Sequence, residues 1–295
     1  MPLRLMRIGA RDAETPVLEV GDTHFDLSAV VDDIDPGFWA DGPARITAAH
    51  EAGTLPEIDI AGQRIGAPIT RPASVICIGQ NYAAHAAESG SPAPTQPIIF
   101  LKTPNTITGP FDDIGIPPRA ATFDWEVELG VVIGAQAAYL ESPEAARAVI
   151  GGYLVANDLS ERDYQTTHSG GQWSKGKVVK DSMPLGPYLV TADAIDTRDL
   201  RLRSWVNGDP RQDSTTADMI FPVDDLVWRL SQYMQLEPGD VISTGTPQGV
   251  ALSGRFPYLQ PGDVSEVEIT GLGRQRQAYF RVDAPAGTGA DLLLS

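Results

Sequence analysis

The chain has 295 residues, 22 Lys and Arg against 39 Asp and Glu, 42% hydrophobic residues and one cysteine, Cys77. That apolar share at this length is enough to build a core and excludes a disordered chain. The formal net charge of −17 repels phosphate backbones and anionic lipid, so neither nucleic acid nor a membrane is expected as a partner.

A lone cysteine rules out an intrachain disulfide and a Cys-rich zinc site. The opening MPLRLMRIGARDAETP lacks the apolar run of a secretion signal, and no segment approaches the roughly 20 apolar residues of a membrane helix. The expectation is a soluble cytoplasmic protein.

Glycine and proline punctuate short β-type runs, which points to an α+β, β-rich fold. Residues 1–70 read as a small α+β unit, with strands in LRLMRIG, VLEVGD and HFDLS and a helix near Pro43 to Ala52. Residues 71–285 read as the catalytic unit. Its strands are SVICIG, PIIFLK, WEVELGVVIG, GYLVAND, GPYLVTAD, LRLRSWVNG, DVISTGTP and DVSEVEITGLG. Two helices interrupt them. SPEAARAVIGG has Ser142 as N-cap and Pro143 at the first helical position, and VDDLVWRLSQYMQL puts Leu226, Val227, Leu230, Tyr233 and Met234 on one face.

In FDWEVELGVVIG, period-two alternation sets Asp124, Glu126 and Glu128 on one side of a strand, with Trp125, Val127 and Leu129 on the other. Carboxylates this close raise one another's pKa unless a cation or basic partner neutralises them. The alternative is an exposed edge whose acids face water. Downstream, GYLVANDLSERDYQ is an apolar strand that ends in Asn157 and Asp158. Glu126, Glu128 and Asp158 together would form an all-oxygen set suited to Mg²⁺ or Mn²⁺, or to Ca²⁺.

His85 and Glu88 stand three apart in GQNYAAHAAESG, a spacing at which one helical turn lets the carboxylate orient the imidazole. A surface histidine beside an acid is the alternative. Lys177, between Gly176 and Val178, is expected on a strand, with Lys175 and Lys180 as competitors. The turn ISTGTPQGV offers the hydroxyls of Ser243, Thr244 and Thr246 and its backbone amides to a carboxylate, or is an ordinary Gly-Pro turn. Cys77, flanked by isoleucines, reads as a core residue. No nucleophile elbow, Walker loop or dinucleotide fingerprint is present. The segment from 82 to 96 is rich in small residues and proline, and is expected to be poorly ordered or displaced without substrate, leaving His85 too far from the centre for direct proton transfer.

In order along the chain, GQNYAAHAAE, PIIFLKTPNTITGP, DWEVELGVVIG, GYLVANDLSERDYQ, QWSKGK and LEPGDVISTGTPQGV resemble the fumarylacetoacetate hydrolase family. The N-terminal unit and GLGRQRQ are most similar to its sugar-acid members, such as diketo-deoxyrhamnonate hydrolases, with ureidoglycolate-lyase-like members also similar. The resemblance implies a mixed β-sandwich roll preceded by a small α+β domain, and a homodimer. It makes Glu126, Glu128 and Asp158 ligands of a divalent cation, His85 and Glu88 the water-activating pair, and Lys177 an electrostatic group beside a small keto-acid substrate. Gln165 and Thr246 fall at substrate-contacting positions. Gln80 stands where many members carry Arg or Leu, which affects how a substrate carboxylate is held. Lys180 stands in the usual place of an Asp. The implied reaction is hydrolysis of a carbon–carbon bond in a 2,4-diketo acid to pyruvate and a small carboxylate. Decarboxylation, isomerisation or a lyase step on a keto acid, through an enolate stabilised by the cation, is the alternative.

Overall fold

The computed structural model describes residues 1–88, 90 and 92–283. Three strands, β1 (Arg4–Ile8), β2 (Thr15–Val20) and β3 (Thr23–Asp26), precede helix α1 (Gly42–Glu51). Next come β4 (Val75–Gly79), α2 (Ala83–Glu88), β5 (Ile98–Lys102), β6 (Ile107–Thr108), β7 (Ile114–Ile116) and β8 (Phe123–Asp124). The middle of the chain forms β9 (Val127–Ile133), α3 (Pro143–Ala146), β10 (Ile150–Asn157), β11 (Ser160–Glu161), α4 (Ser174–Lys177), β12 (Met183–Pro184) and β13 (Leu189–Thr191). Then follow β14 (Arg201–Val206), β15 (Asp209–Thr215), α5 (Val223–Tyr233), β16 (Val241–Ser243), β17 (Val264–Ile269) and β18 (Gly273–Arg281).

Nine strands make one sheet, in the order β3-β2-β1-β13-β10-β9-β16-β4-β5, and five make another, β15-β14-β17-β18-β7. The fold is therefore α+β and β-rich. Along β9 the side chains of Val127, Leu129, Val131 and Ile133 enter a core shared with Leu202, Val267 and Ile269 of the second sheet and with α5. Val132, on the opposite face, joins a different core with Leu154, Ala156 and Ile46 of α1. With both faces covered, β9 is buried along its whole length, as its nearly continuous apolar sequence requires.

Residues 1–70 share this sheet and core. β1 pairs antiparallel with β13, Arg4 opposite Val190, and Leu3, Leu5 and Leu27 pack in one cluster with Val75 and Cys77. Helix α3 starts as its sequence predicts, the Ser142 side chain accepting a hydrogen bond from the Ala145 N–H. In α5, Asp224 and Asp225 sit in the first turn, where they complement the helix dipole. Leu226, Val227 and Leu230 are fully buried, each contributing roughly 2 kcal/mol by leaving water. Tyr233 departs from the expected face and is 63% exposed, because the helix ends there and Met234 turns to extended backbone. Among the described residues, no helix is long and apolar enough to cross a membrane.

The acidic segment is not one continuous strand. β8 pairs with β11, β9 joins the large sheet, and Trp125 and Glu126 lie between them. At the break the Glu126 N–H donates to the Asn157 side chain and its carbonyl accepts from the Asp158 N–H, so pairing passes from strand to loop.

Candidate active site

Strand register brings the acidic residues together. Val127 lies opposite Asn157 and Glu128 opposite Ala156, while Ser243 lies opposite both Gly130 and Cys77. The start of β9 and the ends of β10 and β16 therefore meet at one end of the large sheet, with β4 running parallel to β16 and leading into Gln80 and α2. There Glu126, Glu128 and Asp158 are buried and offer three carboxylate oxygens within 4.8 Å of one another.

Three buried cations meet these charges. Arg162 lies 2.7 Å from Glu126 Oε1 and donates from Nε to Asp124 Oδ2 at 2.8 Å. Lys177 Nζ donates to Glu126 Oε2 at 2.8 Å and to Asp158 Oδ2 at 2.9 Å. Lys102 Nζ is 2.8 Å from Asp158 Oδ1 and donates to the Leu159 carbonyl at 3.1 Å. Glu128 has neutral donors, the Ser243 hydroxyl at 2.5 Å and the Gly245 N–H at 2.9 Å. The turn that the sequence suggested for a carboxylate thus holds one from within the protein. Gly245 permits it: its φ is +97°, and a Cβ there would lie 2.8 Å from Asn81 Cβ.

Asp124, on β8, lies outside the centre and not on the β9 strand face that the alternation predicted. Its oxygens accept from Arg162 and from the Ala251 and Leu252 N–H groups. Lys177 belongs to α4, not to a strand, and is 1% exposed. Its helix approaches closely because residue 176 is glycine; a Cβ there would lie 2.3 Å from the Glu161 carbonyl oxygen.

Electrostatics separates these groups. Burial would push the Glu126 carboxyl up, but Lys177 and Arg162 bring it down to about 2. Burial, Asp158 and Glu126 together push Glu128 well above the usual carboxylate range. Burial works against the charged form of Lys177, yet Asp158 and Glu126 overcome it and raise the ammonium to about 12. For Lys102 burial wins over Asp158, and the shift is downward. Four buried carboxylates, Asp124, Glu126, Glu128 and Asp158, thus face three buried cations, Lys102, Arg162 and Lys177. Glu128, which has no cationic partner and is held toward its neutral form, and the all-oxygen donor set fit a divalent cation of the Mg²⁺ or Mn²⁺ type, whose charge would favour the carboxylate.

A cavity of about 420 Å³ opens on the centre. Gln80, His85, Glu88, Gln165, Lys177 and Thr246 all line it, together with Glu126 and Glu128. His85 is buried on α2 with Nδ1 3.7 Å from Glu88 Oε2. Burial lowers its pKa, against the opposing pull of Glu126 and Glu88, so the imidazole is neutral at pH 7 and able to accept a proton. Gln80 has φ +53°, a left-handed conformation that turns the chain from β4 into α2. The Gln165 side-chain oxygen accepts from Arg162 at 2.8 Å. The Thr246 hydroxyl donates to the Val127 carbonyl and accepts from Gln212, so here it fastens the turn onto β9.

Helix α2 is formed and His85 faces the cavity, contrary to the displaced segment expected from composition; residues 89 and 91 lie outside the described residues. Polar anchors account for the difference. The Asn81 side chain donates to the Phe221 and Thr244 carbonyls, and Glu88 accepts from the Gly249 N–H. Sequence reasoning missed Arg162 and Lys102. Arg162 stands three before Gln165 and soon after Asp158, a helical-turn spacing that pointed to it, whereas Lys102 reads as an ordinary strand-end lysine.

A sequence profile described as fumarylacetoacetate (FAA) hydrolase C-terminal matches residues 74–279. The chain belongs to the fumarylacetoacetate hydrolase family. It is 41% identical over 240 residues to the oxaloacetate tautomerase FAHD2A of Bos taurus, covering 80% of this chain and 76% of that protein. Its fold is similar to a 5-carboxymethyl-2-hydroxymuconate delta-isomerase from Mycobacterium smegmatis, with TM-score 0.76, 33% identity, and coverage of 95% of this chain and 100% of the other. It is also similar to maleylpyruvate hydrolase from Sphingobium, solved with manganese(II) and pyruvate, with TM-score 0.79, 26% identity and the same coverage.

Proposed function

We propose that this protein is a divalent-cation-dependent enzyme that moves a proton on the carbon beside the keto group of a small 2-keto acid, interconverting keto and enol forms. The observation that carries this reading is one cavity with a neutral buried imidazole, His85, among its lining residues and the carboxylate centre with its buried cations at its floor. The 41% identity to a tautomerase and 33% identity to an isomerase support it.

Glu126, Glu128 and Asp158 would hold the cation, which when bound supplies Lewis-acid stabilisation of negative charge on substrate oxygens. His85 takes the proton from the carbon and returns it, with Glu88 orienting the ring. Lys177 and Arg162 stay protonated, and their fixed positive charge favours an anionic substrate whose charge grows as the proton leaves. Gln80 and Gln165 supply neutral polar contacts to the substrate. Burial of the centre keeps bulk water from screening these interactions.

The second reading is hydrolysis of a 2,4-diketo acid to pyruvate and a small carboxylate. It is favoured by the His85–Glu88 pair, which suits activation of a water molecule, and by the likeness to maleylpyruvate hydrolase. The two are separated by assaying oxaloacetate and acylpyruvates with Mn²⁺ and with EDTA. The first reading predicts Mn²⁺-dependent acceleration of oxaloacetate enol–keto conversion, with no release of pyruvate from acylpyruvates. Pyruvate release without enol–keto acceleration selects the second. Neither activity, with the cation bound, refutes both.

A further inference from the structure

Helix α2 has six residues and buries only His85 and Ala86. A helix this short has no stability of its own, so its position depends on what fastens it. At its start the Ala84 N–H donates to Asp218 at 3.0 Å. At its end both oxygens of Glu88 are held by the loop that follows β16: Oε2 accepts from the Gly249 N–H at 3.0 Å, and Oε1 from Arg255 Nη1 at 3.0 Å. Arg255 follows closely on Leu252 and Ser253, which line the cavity. Its guanidinium lies 5.4 Å from the Phe256 ring centroid and its side chain is 61% exposed, against 12% for Glu88.

We propose that Arg255 is a positioning residue, whose ion pair with Glu88 latches the helix carrying His85 onto the cavity rim. This rests on the reading of His85 as the proton-transfer group. The fastening has two strengths. The Gly249 N–H bond is backbone-based and insensitive to salt, whereas the Arg255 pair is water-accessible, screened and readily broken. Such a pair lets the helix lift for substrate entry while favouring the arrangement in which His85 faces the centre. Arg255 takes Oε1 of Glu88, while Oε2, which accepts from the Gly249 N–H, is the oxygen nearer His85 Nδ1, so losing the Arg255 pair leaves the oxygen on the His85 side in place.

The test is hydrogen exchange of the Mn²⁺-loaded full-length protein, read in the peptide covering 82–88, for wild type, Arg255→Ala and Arg255→Lys, at low and high salt. Arg255→Ala should speed exchange there by about 1.4- to fivefold, the range of an exposed ion pair, and leave α5 unchanged. Arg255→Lys should restore most of the protection, and high salt should bring wild type toward Arg255→Ala. The value of kcat/KM should fall by a similar factor in Arg255→Ala, with no further loss when the change is made in His85→Ala. Exchange that is unchanged in Arg255→Ala, or faster but not restored by lysine, overturns the latch. If exchange behaves as expected while His85→Ala retains full activity, the latch stands and the assignment of proton transfer to His85 fails.

Discussion

Two walls of one cavity are built on opposite principles. The carboxylate wall is the rigid one: Glu126, Glu128 and Asp158 sit at the ends of strands in a nine-stranded sheet, and each is held by buried partners. The histidine wall is a six-residue helix fastened by a few polar contacts, one of them exposed. Under the proposed function, the difference separates two tasks. A multi-carboxylate cation site needs fixed geometry against strong repulsion, whereas a proton-transfer group has to let substrate in and out.

The largest effects should come from breaking the carboxylate wall. Glu126→Ala strips Arg162 and Lys177 of a shared buried partner and should cost about 3–5 kcal/mol of stability, seen as a lower denaturation midpoint. It should also weaken Mn²⁺ binding by at least about 100-fold. The same substitution strategy on the other wall should behave differently. His85→Ala should lower turnover by roughly 10²- to 10⁴-fold while leaving Mn²⁺ affinity within about twofold of wild type, since the histidine is no part of the cation set.

The two walls were not equally legible in the sequence. Alternation in WEVELG set Glu126 and Glu128 on the face opposite Val127 and Leu129, and the core contacts of those two residues agree with it. The spacing of His85 and Glu88 likewise placed them on one helical turn. Of the three buried cations, Lys177 was legible and Arg162 and Lys102 were not. Lys102 ends an edge strand in PIIFLK, where a lysine is unremarkable, and only the fold brings it to Asp158. The strand break at Trp125 and Glu126 also escaped the pattern, because the residues that create it, Asn157 and Asp158, come from another strand end. Composition suggested a poorly ordered or displaced segment over 82–96, but composition does not show the anchors at Asn81 and Gly249.

Acid should sharpen the contrast. His85 is buried with its pKa lowered below 6.5, so between its folded and unfolded values the unfolded chain binds more protons. The stability contributed by His85 should therefore fall as pH drops below about 6.5. The difference between wild type and His85→Ala isolates this contribution from that of Glu128, whose raised pKa acts in the opposite sense, and is readable from urea midpoints across pH 5 to 7. A control lies outside the cavity. Burial alone would push the Asp112 carboxyl up, but the Arg64 fork at 2.7 and 2.6 Å, Thr108 and the Gly109 N–H hold it well below its ordinary value. A depressed carboxylate stabilises the fold above its unfolded pKa, and that contribution is lost below about pH 4. Asp112→Asn should cost roughly 1–3 kcal/mol at pH 7, an amount that shrinks as pH falls, with turnover per folded molecule unchanged.

The central claim, that the buried acidic set is a cation site and not only a salt-bridge network, is tested most directly by Mn²⁺ titration. Electron paramagnetic resonance of free Mn²⁺ should show one ion taken up per chain in wild type and in His85→Ala, and uptake should be abolished or weakened at least about 100-fold in Glu128→Gln. Glu128 is the discriminating position because its partners are neutral, so the substitution leaves Lys102, Arg162 and Lys177 with their carboxylates. Equal uptake by wild type and Glu128→Gln, or none by wild type, would contradict the account.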